Sequence, residues 1–473
     1  MSVAEMPRLS TKQKIEWIVM LVVLAVLALI PCGPVYTLQV KEFLIISVAG
    51  IVMMALELVP AYVAAIFLPM AFWFLKVAEP TVVFNAWTQE IPWVVLGSLL
   101  VAVIMNKTGL SKRLAYGMMI LGRGNFYAVL AMMVVAGCIT TFFVPAAVAR
   151  GALFGAIALS LTDAMGWENN KKHTILLFTA VQLAATATSY MVMTGTNSDF
   201  VVAGALESAG YPVSWGQWAY YNLIPGVIEI IIVFIIICFV YRNHDTGNTK
   251  EMDSKAMHTY IKGEYQKLGK PSKQEIKAII LFAVILIMLL TSSYHSMSPG
   301  KTFMLMALIA FLPGVNLLTG KDGKSINYTT LFLVTSCVAI GDVANELGLG
   351  TLFVDKIMPM LPHSTLALTA VVFALCFFGN MLMTPVALAS ACTLPIINIA
   401  LALDQNPFGL VMLWWTACGA TVFPYEATAD LLIFGYGKMS MKEWIKIGLI
   451  RSATLFVTRF VLYIPWFKII GIL

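Results

Sequence analysis

Charge is what this chain of 473 residues has least of: Lys, Arg, Asp and Glu make up 11% of it. Soluble domains carry about 25%, so a water-covered globule is excluded. Only 5 residues are His, and the apolar runs hold almost none, so a histidine proton relay is not expected. No Walker loop, no GxSxG and no HExxH occurs. The motifs of an ATPase or an intramembrane hydrolase are therefore missing, and the chain does not read as an enzyme. The 7 Cys show no CxxC spacing and lie in or beside apolar segments. They read as small packing residues, neither disulfides nor metal ligands. The 27 Met read as adaptable helix packing for the same reason.

What is abundant is apolar. Hydrophobic residues make up 60% of the chain, and the mean hydropathy is +0.87. Runs of about 17–25 apolar residues recur, the length that crosses a bilayer core of roughly 30 Å. The fold class is therefore an all-α polytopic membrane protein. No cleavable signal is expected, because the first apolar run is long enough to stay in the membrane.

The pattern predicts spans near 15–33, 41–57, 59–77, 91–106, 173–206, 219–241, 276–293, 301–318, 327–345, 408–437 and 443–468. Two further apolar regions, 127–161 and 365–402, are too long for one span. Each has a proline near its middle, Pro145 and Pro385. They are expected to be re-entrant hairpins, which survive at membrane depth only when buried in protein or lining a wet cavity. That makes about eleven transmembrane helices plus two hairpins.

The formal charge of +6 follows the positive-inside rule, so no nucleic-acid partner is implied. With the N-terminus cytoplasmic, twenty-two of the 30 Lys and Arg fall on the cytoplasmic side and five opposite. The remaining three, Arg150, Arg451 and Arg459, lie in apolar segments.

The halves repeat weakly but in order. WVVLGSLLVAVIMNKTGL from Trp93 pairs with LFLVTSCVAIGDVANELGL from Leu331, each closing on Gly-Leu. VPAAVARGALF from Val144 pairs with TPVALASACTL from Thr384. GTNSDFVVAG from Gly195 pairs with EATADLLIFG from Glu426, which sets Asp199 against Asp430. The predicted topology inverts the two copies, as in many transporters. The organisation expected is a cytoplasmic tail 1–14, scaffold helices 15–126, and a first hairpin and broken helix 127–206. A closing helix 207–241 and a cytoplasmic linker 242–275 follow. Scaffold helices 276–364, a second hairpin and broken helix 365–437, and a C-terminal helix 438–473 complete it.

Polar groups in apolar surroundings are the candidate site residues. Arg150 has a fork that suits carboxylate or sulfate oxygens; a structural pair with an Asp is the alternative. Thr194 to Asp199 reads TGTNSD and Phe423 to Asp430 reads FPYEATAD. Neither continues a lipid-facing helix, and both supply oxygens at an interrupted one. Candidate substrate ligands are Arg150, Thr141, Thr194, Thr196, Asn197, Ser198, Asn380, Thr384 and Thr428. Asp199, Asp430, Glu426 and Asp342 are candidates for a coupling cation or proton, and Asp199 and Asp430 are alternatively partners for Arg150. No metal or bound cofactor is implied; Na+ or H+ would be the coupling ion.

These segments resemble the divalent anion/sodium symporter (DASS, sodium–sulfate/dicarboxylate) family over roughly residues 15–470. WVVLGSLLVAVIMNKTGLSKRLA looks like the span before that family's first hairpin. FPYEATADLLIFGYG resembles its late signature P-V-A-T-P-P-N-A-I-V-F-G-S-G, with Asp430 at the Asn. GTNSDFVVAG resembles G-T-P-P-N-L-I-V-A-G, with Asp199 at the Asn. The resemblance implies a homodimer with scaffold and transport domains, and a dicarboxylate, tricarboxylate or sulfate-like anion held between the hairpin tips. The tips depart from the family's Ser-Asn-Thr: Ala146-Ala147-Val148 and Pro385-Val386-Ala387 stand there instead. VPAAVARG is nearest the exchanger branch, sharing Pro145, Ala149 and Arg150. The function expected is a secondary transporter of small anions by elevator-type exchange or cation-coupled symport. A carrier of zwitterionic or cationic solutes, or an enzyme or channel on a related fold, is the alternative.

Overall fold

A computed structural model describes residues 11–33, 36–56, 58–246, 254–291, 295, 297–349, 358–362 and 364–473. Among them the secondary structure is entirely helical. The first part holds α1 (Thr11–Leu29), α2 (Leu38–Ala55), α3 (Ala61–Phe74), α4 (Ile91–Lys107) and α5 (Leu110–Leu121). Next come α6 (Phe126–Thr141), α7 (Ala147–Met165), α8 (Lys172–Gln182), α9 (Asn197–Ser208) and α10 (Trp215–Val240). A polar helix, α11 (Ser254–Lys267), precedes α12 (Lys273–Leu290), α13 (Pro299–Phe311) and α14 (Thr329–Glu346). The chain ends with α15 (Thr365–Leu382), α16 (Pro385–Ala402), α17 (Pro407–Ala417), α18 (Thr428–Gly435) and α19 (Met441–Thr458), the last running on to Ile469.

Six described helices are long and apolar enough to cross a membrane, and α4 with α5 makes a seventh if that pair is one span bent by 64°. The bend falls at Gly109, whose φ of 77° only glycine adopts without strain. Gly348, its partner in the repeat, has a φ of 65°. The region 127–161 is two helices, α6 and α7, parted by non-helical residues at Pro145; 365–402 is α15 and α16, parted at Met383-Thr384. Spans 173–206 and 408–437 are each interrupted, as α8 then α9 and as α17 then α18. The polar linker contains a helix. Residues 254–267 form α11, which packs on α5 and α7, burying Met257 and Ile261 on one face.

The repeats interlock. The late helix α9 of the first packs on α16 of the second hairpin, and α18 of the second packs on α7 of the first hairpin. A smaller cluster joins α1, α2 and α3 to α14 through Phe43, Leu68, Phe72 and Val343, and α13 lies along α4. The hairpin tips and both helix breaks therefore meet in the interior.

Candidate functional site

The first break has local causes. After Gln182 the sequence is LAATATS, rich in residues whose hydroxyls compete for backbone carbonyls. Thr186 donates to the Gln182 carbonyl at 2.9 Å, Thr188 to Ala184 at 3.2 Å and Ser189 to Ala185 at 3.3 Å. A π-turn at Leu183–Ala187 results, and such turns are frequent at functional sites. Gly195 is needed where the chain doubles back, because a Cβ there would sit 1.7 Å from the Ser189 carbonyl oxygen. In the second break Glu426 is buried and accepts from the backbone N–H groups of Val422 and Phe423, each at 3.0 Å. It satisfies amides that the interrupted helix leaves without partners.

Four helix starts converge on one cavity of about 680 Å³. Ala147 opens α7, Pro385 opens α16, Asn197 opens α9 and Thr428 opens α18, and all four line it. First-turn N–H groups have no partner within their own helix. At α7 and α18 no side chain caps them; at α16 the Thr384 hydroxyl accepts from Ala387 N at 3.5 Å. The lining also includes Thr186, Ser189, Tyr190, Thr196 and Ser198 and, from α2, the turn after it and α14, Met54, Leu58, Val59 and Leu333. No charged side chain is among the described lining residues.

Of the residues singled out in the sequence, Thr196, Asn197, Ser198, Thr384 and Thr428 meet in this cavity. The carboxamide oxygen of Asn197 is buried there without a partner. Arg150, expected among the substrate ligands, lies behind the wall and is fully buried. Its guanidinium donates to the Ala185 carbonyl at 2.8 Å and 3.2 Å, to Ser189 Oγ at 2.6 Å, and to the Val144 carbonyl. It ties the first hairpin tip to the first break. Thr141 bonds Thr188 at 2.7 Å and the Gly137 carbonyl at 2.8 Å. Thr194 donates to the Phe142 carbonyl at 3.0 Å. Asn380 donates to the Cys418 carbonyl at 2.9 Å. These three brace the tips and breaks from behind.

The carboxylates are also off the cavity wall. Asp199 accepts from Thr196 N at 2.7 Å and from Trp415 Nε1 at 2.6 Å. Asp430 accepts from Gln182 Nε2 at 3.2 Å and from Thr421 Oγ1 at 2.9 Å. Each takes the third position of its helix, and each is held by the residue that ends or nearly ends the pre-break helix of the opposite repeat. Neither forms the ion pair with Arg150 that was the alternative expectation, because the guanidinium is taken up by the Ala185 and Val144 carbonyls and Ser189. Asp342 lies elsewhere, accepting from Asn85 Nδ2 at 3.0 Å. Sequence reasoning missed Thr186, Ser189 and Tyr190. The cluster TATSY ahead of TGTNSD was the signal, since it is as rich in small polar residues.

The chain matches the family model described as "Sodium:sulfate symporter transmembrane region" over residues 11–473. It belongs to that family. It is a membrane transporter, then, and not an enzyme. It is 22% identical over 419 residues to the inner membrane protein YbhI of Escherichia coli (strain K12), covering 83% of each chain. It is 22% identical over 393 residues to the putative malate transporter YflS of Bacillus subtilis (strain 168), covering 80% of each. It is 21% identical to the sodium-dependent dicarboxylate transporter SdcS of Staphylococcus saprophyticus, covering 79% of this chain and 75% of that one. The fold resembles the solved YdaH transporter of Alcanivorax borkumensis, with a TM-score of 0.53 at 15% identity, over 85% of this chain and 89% of that one.

Proposed function

We propose that this chain is a secondary active carrier of small organic dianions, which bind where the four helix starts meet. That convergence is the observation that carries the reading. Each helix N-terminus is equivalent to roughly half a positive charge and presents free N–H donors. Amides and hydroxyls fixed in place hold an anion without a cationic side chain in the wall. Thr196, Asn197, Ser198, Thr384 and Thr428 are the ligands in this reading, and Arg150 positions rather than binds. The names of the relatives, a malate and a dicarboxylate transporter, agree.

In this reading the segments 127–206 and 365–437 move as a transport domain against a scaffold of 15–126, 207–241, 276–364 and 438–473, in an elevator-type cycle. The protein is a homodimer in the plasma (inner) membrane with a cytoplasmic N-terminus, consistent with the bias of its basic residues. Transport is by exchange or by symport with Na+ or H+.

Uptake of labelled succinate into proteoliposomes tests this, with and without internal dicarboxylate and with and without a Na+ or H+ gradient. Saturable uptake is expected. A requirement for internal substrate identifies an exchanger, and drive by one gradient identifies a symporter. No uptake of any dianion under any of these conditions would contradict the proposal.

A further inference from the structure

The cavity lining is of two kinds. The broken-helix junctions bring Thr186, Ser189, Thr196, Asn197, Ser198 and Thr428, and the second tip adds Thr384. From α2, the turn after it and α14 come Met54, Leu58, Val59 and Leu333, with Val148 and Val386 from the hairpin tips. Not one of these last six carries a hydrogen-bonding side chain, and each tip residue sits beside a helix start. An anionic group that docks on the junction amides therefore has its carbon skeleton against an apolar surface. The volume decides how much skeleton fits. About 680 Å³ is the room of roughly twenty waters at about 30 Å³ each, far more than succinate fills. It lies in the range of pockets built for larger organic ligands, roughly 300–1,000 Å³.

The geometry points to selection of amphipathic anions: dicarboxylates bearing alkyl or aryl substituents, in preference to hydroxylated di- and tricarboxylates or inorganic sulfate. This inference rests on the reading of the cavity as an anion site and names what that site prefers. A substituent that is apolar gains by leaving water, roughly fourfold in affinity for each buried methylene. A hydroxyl packed against these six side chains leaves its water partners and finds no hydrogen-bonding side chain among them, which opposes binding. Sulfate offers nothing to the apolar side chains at all.

Val148 and Val386 make the preference testable with little risk to folding. Threonine has valine's shape, so Val148→Thr or Val386→Thr places a hydroxyl among the apolar lining residues without changing their volume. Both positions are at least partly open to the cavity.

The test is competition against labelled succinate in proteoliposomes, using methylsuccinate, malate, citrate and sulfate as probes. Methylsuccinate and malate differ only by methyl against hydroxyl at one carbon. Methylsuccinate is expected to inhibit at about tenfold lower concentration than malate, with succinate between them and sulfate weakest. In Val148→Thr and Val386→Thr the methylsuccinate-to-malate ratio should narrow by a factor of about three or more. Malate or citrate competing as well as methylsuccinate, or a ratio unmoved in both variants, would overturn this inference while leaving the protein a dianion carrier. No competition by any of the anions would overturn the anion-site reading itself, and this inference with it.

Discussion

The two repeats build the same joint with different chemistry. In the first, the hairpin tip is pinned by Arg150, which takes carbonyls from its own tip and from the first break. In the second, the equivalent position is Ser390, which bonds back to the Val386 carbonyl at 2.8 Å and contacts Cys337 Sγ on α14 at 2.6 Å. The consequence shows in the backbone. Arg150 occupies the Val144 carbonyl, and α7 starts only at Ala147. Its counterpart α16 starts at Pro385, two places earlier in the matched alignment, under an ordinary Thr384 cap. A buried arginine holds one tip unwound, whereas a proline and a threonine start the other tip's helix unaided. Arg150 makes the most side-chain hydrogen bonds at the first tip, and the start of the second tip's helix is set locally by Thr384 and Pro385.

The largest expected effect breaks this contrast at its centre. Arg150→Ala takes the donor from the Val144 carbonyl and Ser189 Oγ and leaves the Ala185 carbonyl only the Ser189 hydroxyl, a loss of about 1–3 kcal/mol for each stranded acceptor. Its melting temperature in detergent should fall sharply and uptake should be lost. Ser390→Ala should cost under about 1 kcal/mol and leave uptake near the parent level. Equal losses in both would mean that the tips are held alike.

The next effect separates the two carboxylates. Asp199 receives two N–H donors on its two oxygens, one of them a backbone amide that cannot reverse. An asparagine there must point an NH2 at one of them, which costs about 1–3 kcal/mol. Asp430 is held by a carboxamide and a hydroxyl, both of which can turn to accept. Asp199→Asn is therefore expected to raise KM for succinate about tenfold, and Asp430→Asn to change it by less than about threefold. Adding Trp415→Phe to Asp199→Asn removes the opposed donor and should recover part of the loss, a coupling that a double-mutant cycle reads directly. If Asp430→Asn instead abolishes the response to a cation gradient while Asp199→Asn does not, Asp430 is a coupling group and not a brace.

The smallest effect lies away from the hairpin tips and helix breaks. Lys107 donates to Asp322 at 2.6 Å, and that hydrogen bond, with one from Thr319, holds the Asp322 carboxyl below its usual range. A lowered carboxylate stabilises the fold above the unfolded-state value and loses that contribution as pH falls through the lowered one. Asp322→Asn should lower stability by at most about 1 kcal/mol, evenly across pH 5–8, with the difference fading only below about pH 4.

The fold was largely open to sequence reading, because span length, the Gly-Leu pairs and the ordered repeat are set by the backbone's need for partners in lipid. Pro145 and Pro385 marked the hairpin breaks for the same reason. The site was half open. Thr196, Asn197, Ser198, Thr384 and Thr428 could be picked out because small polar residues do not belong in a lipid-facing helix. Arg150 and Asp199 were as conspicuous, but sequence does not say which side of a wall a buried charge faces. Backbone amides left no trace in the sequence, so Ala146-Ala147-Val148 read there as a loss of ligands. In the fold these residues form an uncapped helix start on the cavity. The helix at 254–267 was hidden by its polarity, since Met257 and Ile261 are its only fully buried apolar residues, with Tyr260 and Tyr265 packed beside them.

The central claim is that both hairpin tips face one anion. The most direct test is substrate protection from alkylation at Val148→Cys and Val386→Cys, with the exposed Cys32 replaced and Leu449→Cys as a lipid-facing control. Succinate or methylsuccinate should slow labelling at both tips together, with one concentration dependence, and leave the control unchanged. Labelling at the tips that ignores every dianion, or protection at one tip alone, would contradict it.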